Sequence, residues 1–187
     1  MLKSFSFIPQ TCLLKQEDAV MIREAQVEDA EALNQLIRTY LQDSDYIPLE
    51  VEEFTKTEEE TKQWIISLQQ ASNSLLLVAE HNGQLIGNID VTGSSRKALQ
   101  HTAIIGMGIS RDWRGCGLGT LLVQHVIDWA KSTDCLEILW LQVYEENKAA
   151  VGLYHKHGFE VMGRMPDFIK VRKCYYTNQI MQRQIKE

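Results

Sequence analysis

The run Arg111-Asp112-Trp113-Arg114-Gly115-Cys116-Gly117-Leu118-Gly119-Thr120 constrains this chain more than any other stretch. An apolar segment, Ala103 to Ile109, leads into it, and Leu118, Leu121, Leu122, Val126 and Trp129 follow at helical spacing. A strand, a glycine-rich turn and the start of a helix are therefore predicted in that order. Such a junction leaves several backbone N–H groups without carbonyl partners, and their positive end favours an anion, most commonly phosphate. Glycine at 115, 117 and 119 keeps side chains from holding a ligand off the backbone. Arg114 adds a fixed, forked cation.

Two familiar phosphate signatures do not fit. The P-loop needs a Gly-Lys-Ser/Thr ending, and Gly119 is followed directly by Thr120. A dinucleotide fingerprint begun at Gly115 needs glycine where Thr120 stands. What does fit is Arg114-x-x-Gly117-x-Gly119, which resembles the pyrophosphate-binding signature of the GNAT superfamily of acetyl-CoA-dependent N-acetyltransferases. A second stretch, from Asn147 to Phe159, is similar to the family's later signature through Asn147, Ala150, Leu153-Tyr154 and Gly158-Phe159. The two stand in the family's order, separated by a helix and a strand, and the resemblance runs from Met21 to the C-terminus.

The resemblance implies a single α/β domain over residues 21–187. Its sheet would be mixed and mostly antiparallel, splayed between two parallel strands, with helices on both faces. Residues 1–20 precede the family's opening strand, Val20 to Ala25, as an extension; Ser4 to Ile8 is predicted to add a strand that packs on the body or on a neighbouring subunit. The residue pattern supplies the other elements. Ala30, Leu33, Leu36, Ile37, Tyr40 and Leu41 give a first helix its apolar face, and Thr57-Glu58-Glu59-Glu60 has the form of a capping box that opens a second. Leu75 to Ala79 reads as a buried strand, Asn82-Gly83 as a hairpin turn, and Gln84 to Thr92 as the returning strand with a bulge at Gly87. The central strand spans His101 to Ser110 and the helix after the loop runs from Gly117 to Lys131. Leu136 to Val143 is predicted to lie parallel to the central strand, because a helical crossover joins them. A helix from Asn147 to His157 and strands at Phe159–Met162 and Tyr175–Ile185 complete the chain.

The resemblance also implies roles. Arg114, Gly115, Cys116, Gly117, Leu118, Gly119 and Thr120 would hold the pyrophosphate. Met107, Gly108 and Ile109 would pair with the pantetheine arm as an added strand does, a backbone N–H near Gly108 polarising the thioester carbonyl. Asn147 would contact the cofactor arm while capping its helix, and Tyr154 would protonate the departing CoA thiolate. Cys116 is the one candidate covalent nucleophile, and a bystander role is the plainer reading. The general base stays open. Many family members carry a glutamate on the central strand, and none lies between His101 and Ser110 here. His101, Asp90, Glu145 and a water relay remain. The five carboxylates of Asp43, Asp45, Glu50, Glu52 and Glu53 suit a cationic acceptor, or else form a solvated loop.

Composition bounds the function. The 187 residues carry a net charge of −6, which opposes a nucleic-acid footprint. No apolar run is long enough for a membrane span, and the N-terminus lacks the apolar core of a signal peptide. Cys12, Cys116, Cys135 and Cys174 show no metal-ligand spacing, so free thiols in a reducing cytoplasm are expected and no metal is implied. The expected function is transfer of an acetyl group from acetyl-CoA to a primary amine by direct attack in a ternary complex. Small molecules and peptides both qualify as acceptors, and a homodimer is the family's default. The alternative is a domain that holds CoA or acetyl-CoA as a sensor or scaffold without turnover.

Overall fold

The computed structural model describes residues 7–15 and 18–186. Its strands are β1 (Gln10–Leu13), β2 (Ala19–Glu24), β3 (Leu75–His81), β4 (Gln84–Gly93), β5 (Thr102–Ile109), β6 (Ile138–Tyr144), β7 (Glu160–Val171) and β8 (Cys174–Gln184), and its helices are α1 (Ala30–Gln42), α2 (Glu58–Gln70), α3 (Leu118–Ser132) and α4 (Lys148–Lys156). The strands form one sheet in the order β1-β2-β3-β4-β5-β6-β8-β7. β5 and β6 run parallel and the other neighbours antiparallel.

Helices cover both faces, so the strands at the centre are apolar on both sides. β3 shows this residue by residue: Leu75, Leu77 and Ala79 join the core that includes Leu118, Leu122, Val126 and Trp129 of α3. Leu76 and Val78 join the core under α1 and α2 with Leu33, Ile37, Ile65 and Leu68. The apolar stripe of α1 is buried at every position expected of it. α2 opens with the expected reciprocal cap, in which Glu60 N–H donates to Thr57 Oγ1 at 3.2 Å and Thr57 N–H donates to Glu60 Oε2 at 2.8 Å. The β3–β4 hairpin carries its register shift opposite Ile86 and Gly87.

Two expectations need correction. Of the strand predicted at Ser4–Ile8, residues 4–6 lie outside the described residues, while Phe7 and Ile8 precede the strand; the extension pairs with β2 through Gln10–Leu13 instead. Phe7 packs edge-on against His125 at 5.4 Å, so its aromatic character reflects packing rather than pleating. The strand predicted at Phe159–Met162 runs on to Val171 and turns through Arg172 and Lys173, both with positive φ, into β8. β7 is the last strand of the sheet. It holds Pro166, breaks register twice and is mostly exposed, so it lacks the alternation that marks a half-buried strand.

The feature that positions the site is the brevity of the parallel pairing. β5 meets β6 only at Thr102–Ile138, Ala103–Leu139 and Ile104–Trp140. Beyond these, β5 stays with β4 as far as Ile109–Gly87, and β6 stays with β8 as far as Tyr144–Asn178. A wedge therefore opens in the sheet. As a check on the fold, Thr57→Ala is expected to lower stability by about 1 kcal/mol through loss of the cap, read as a reduced urea midpoint with an unchanged m-value.

Candidate active site

The glycine run closes the wide end of the wedge. Gly115 and Gly117 take φ of 77° and 105°, a region that penalises any side chain, and Gly117 is the residue on which α3 begins. The first amide of α3 to find an intrahelical acceptor is Leu121 N–H, on Gly117 O at 3.2 Å. The N–H groups of Leu118, Gly119 and Thr120 lie in the turn before it, where a helix offers no carbonyl. A Cβ on Gly119 would stand 3.1 Å from Leu153 Cδ2 and 3.5 Å from Ile109 Cδ1, so glycine lets α3 start close against α4 and β5. The Cys116 side chain turns inward at 6% exposure, and its thiol donates to Trp113 O at 3.0 Å. It shapes the loop from behind. Arg114 is exposed; its Nε donates to Ile109 O at 2.9 Å and its Nη1 to Asp43 O at 3.1 Å, linking the loop to β5 and to the end of α1.

Strand alternation decides which backbone groups of β5 face the wedge. Ser110 N–H donates to Ile86 O on β4, whereas His101 O accepts from Glu137 and Ile138 on the β6 side. By the period of two, Gly106 and Gly108 share the orientation of Ser110, and Met107 and Ile109 share that of His101. Gly108 O lies 3.3 Å from where a Cβ on Gly87 would stand, as this requires. The groups that meet the wedge are thus those of Met107 and Ile109; of the three residues expected to supply backbone groups, Gly108 turns its own toward β4.

Gly108 has a different part. A Cβ there would fall 2.2 Å from Tyr40 Cε1, so the Tyr40 ring lies directly on the strand. Two residues earlier, a Cβ on Gly106 would fall 2.7 Å from Asp90 Oδ1. Two glycines at alternate positions thus let a phenol and a carboxylate settle on the α1 face of β5. Asp90 accepts from Thr92 Oγ1 at 3.1 Å. Burial pushes its carboxyl up to about 6, against the opposing pull of that hydrogen bond and of the Lys56 charge. Burial, and then the Asp90 charge, hold the Tyr40 hydroxyl above its ordinary range.

Tyr154, on α4, is 6% exposed and packs edge-on against Phe159 at 5.7 Å. Its hydroxyl is pushed up to about 12, first by burial and then by the Asp90 charge, so it stays protonated through the neutral range. Asn147 caps α4, its Oδ1 accepting from Ala150 N–H at 3.2 Å. Across the wedge, the Tyr144 hydroxyl is buried without a hydrogen-bond partner among the described residues, and burial pushes it up to about 12. The Tyr144 ring packs edge-on against Tyr46 at 5.7 Å and Tyr176 at 5.4 Å, which brings the loop after α1 over the end of β6.

The three candidate bases have different surroundings. Glu145 is held by the Arg164 guanidinium in a salt bridge. His101 immediately precedes β5, at the end opposite the glycine loop, with its carbonyl in the β6 pairing. Asp90 faces β5 at Gly106, inside the stretch that borders the wedge. In the acidic loop all five carboxylates are exposed, and Glu50 and Glu53 cap their own turn, Glu50 N–H donating to Glu53 Oε2 at 2.9 Å.

Residues 35–159 match the model of the acetyltransferase (GNAT) family. The chain belongs to that family. An acetyltransferase of the GNAT family from Streptococcus pneumoniae superposes with a TM-score of 0.86 at 29% identity, covering 89% of this chain and 99% of that one. A GNAT superfamily phosphinothricin acetyltransferase from Sinorhizobium meliloti, solved in complex with acetyl-CoA, shares the fold at a TM-score of 0.78 and 18% identity, over 88% of each chain. The L-amino acid N-acetyltransferase AaaT of Escherichia coli (strain K12) is 26% identical over 87 residues, 46% of this chain and 54% of its own. The chain spans about half or less of the length of the first curated relatives it matches. No helix among the described residues is long and apolar enough to cross a membrane.

The sequence pattern did not reveal the contact of Tyr40 with β5, because a tyrosine in an apolar helical stripe looks like core. The signal lay in Gly106-x-Gly108, since glycine at alternate strand positions marks a close approach on one face. Gly108→Ala is expected to displace Tyr40 and cost about 1–3 kcal/mol, the range for overpacking a filled site. The companion variant Gly108→Ala with Tyr40→Ala should recover part of that loss, and a double-mutant cycle in urea measures the coupling.

Proposed function

We propose that this protein transfers the acetyl group of acetyl-CoA to a primary amine, by direct attack within a ternary complex. The observation that carries this reading is the wedge between β5 and β6. It presents backbone N–H groups of Met107 and Ile109, opens toward the first turn of α3, and has Asp90 close enough to Tyr154 for its charge to help hold the phenol protonated. The acetyl-CoA complex of the Sinorhizobium relative supports the choice of donor. The pyrophosphate would lie on the N–H groups of Leu118, Gly119 and Thr120, and the pantetheine arm along the free edge of β5.

The two titrating groups divide the chemistry. Environments that push two groups apart assign them acid and base roles. Asp90, ionised above about pH 6, takes a proton from the acceptor ammonium, directly or through one water. The freed nitrogen attacks the thioester carbon, and the oxygen that gains charge is met by the backbone N–H groups of Met107 and Ile109. The C–S bond then breaks, the electron pair stays with sulfur, and Tyr154 supplies the proton that makes the free thiol. The nitrogen gives up its second proton as the amide forms, which restores Tyr154 through solvent. Asp90 passes the first proton to solvent, so an amide and CoA-SH leave with one proton released in net. Asp43, Asp45 and Glu52 favour a cationic acceptor at the mouth, over and above the catalytic groups.

The test follows thiol release from acetyl-CoA against a broad pool of amines. Turnover with at least one amine is expected; binding without release across the pool would mark a sensor instead. With an acceptor in hand, kcat/KM should fall below about pH 6 as Asp90 protonates. Asp90→Asn should remove that limb and cost about 10² to 10⁴ in rate. The same substitution should raise the melting temperature at pH 7. The folded value lies above the ordinary carboxylate value, so ionisation destabilises the fold as pH rises from about 4 through about 6. The gain should therefore shrink toward pH 4. Tyr154→Phe should leave acetyl-CoA affinity unchanged and slow single-turnover transfer by about 10²; an unaltered single-turnover rate would leave protonation of sulfur to water.

A further inference from the structure

The extension ends against the glycine loop. β1 pairs with β2 from Gln10–Ile22 to Leu13–Ala19, and the turn between them closes with Leu14 N–H on Asp18 O at 3.0 Å. Leu14 is inserted in the core at 6% exposure, which fixes the residue that follows it. The backbone N–H of Lys15 donates to Cys116 O at 3.2 Å. Its Cγ lies 3.8 Å from the point where a Cβ on Gly117 would stand. The Lys15 side chain is exposed, so its ammonium stays hydrated while its stem lies over the residue that starts α3.

We propose that Lys15 is a pyrophosphate-binding residue of the acetyl-CoA site, so that the N-terminal extension completes the glycine loop. The inference rests on the reading of that loop as the acetyl-CoA pyrophosphate site. Arg114 approaches the loop from the α1 side, where it reaches Asp43. Lys15 approaches from the β1 side, its stem over Gly117. An ammonium on a flexible stem is a compact charge with three donors, suited to a rounded oligophosphate. In a chain with a net charge of −6, an anionic ligand needs such local cations. The position over Gly117 directs Lys15 to the pyrophosphate rather than to the 3′-phosphate of CoA.

The experiment is calorimetric titration of the full chain with acetyl-CoA and with 3′-dephospho-acetyl-CoA. Lys15→Ala should weaken acetyl-CoA binding on the order of fivefold, the upper range for an exposed ion pair. Lys15→Glu should weaken it further, and Lys15→Arg should stay near wild type. The penalty should be equal for both ligands and should shrink at about 0.5 M salt. The melting temperature without ligand should be unchanged, because the backbone bond to Cys116 is kept in every variant. Unaltered affinity in both Lys15→Ala and Lys15→Glu, with wild type binding acetyl-CoA, would overturn this inference alone. A penalty confined to the 3′-phosphorylated ligand would overturn the assignment to pyrophosphate. A wild-type protein that binds neither ligand would overturn the functional reading beneath it.

Discussion

The structure depends on a sheet that is prevented from closing. β5 and β6 are each held on their outer side, β5 by β4 and β6 by β8, for longer than they are held to one another. Sheet twist rotates the two halves apart, and after Ile104 and Trp140 the pair can no longer reach. Unpaired strand edges are ordinarily a liability that proteins cover. Here the exposed edge lies inside the fold, between α3 and α4 on one side and α1 on the other. An extended ligand with amide groups of its own is the natural occupant of such an edge.

The burial that supports this opening also tunes its chemistry. Asp90 and Tyr154 share no hydrogen bond, yet each resides where charge is disfavoured, and the Asp90 charge adds to the effect on the phenol. The carboxyl value rises into the region where it ionises near neutrality, while the phenol moves away from ionisation. Burial thus suits the two groups to the base and acid roles proposed for them, because desolvation pushes both values the same way from very different starting points.

Much of this was legible in the residues. The glycine run, the helix after it and the second signature located α3 and α4, with Tyr154 on the latter, while the absence of glutamate from 101–110 left the base open among Asp90, His101, Glu145 and a water relay. What could not be read was orientation. Strand register determines that Met107 and Ile109 face the wedge while Gly108 faces β4, and register is a property of two strands, not of one. Tyr40 was hidden within the apolar stripe of α1, and β7 within an exposed edge whose polar residues and Pro166 carry no core pattern. The place of the extension, with Lys15 on the loop, depends on a contact across a hundred residues that no local pattern encodes.

In the proposed function the donor side of the wedge is made of backbone and the acceptor side of side chains. Amide groups of Met107, Ile109, Leu118, Gly119 and Thr120 are present whatever side chains those positions carry, provided the glycines keep the path open. The opposite wall is Tyr40, Asp90, Tyr46, Tyr144 and an exposed loop, of which the loop is replaceable without rebuilding the sheet. Such a division makes the two substrates unequal in evolutionary terms. Under the proposed function, a lineage that inherits this scaffold can drift from one amine to another through the loop after α1, while remaining committed to the same acyl donor.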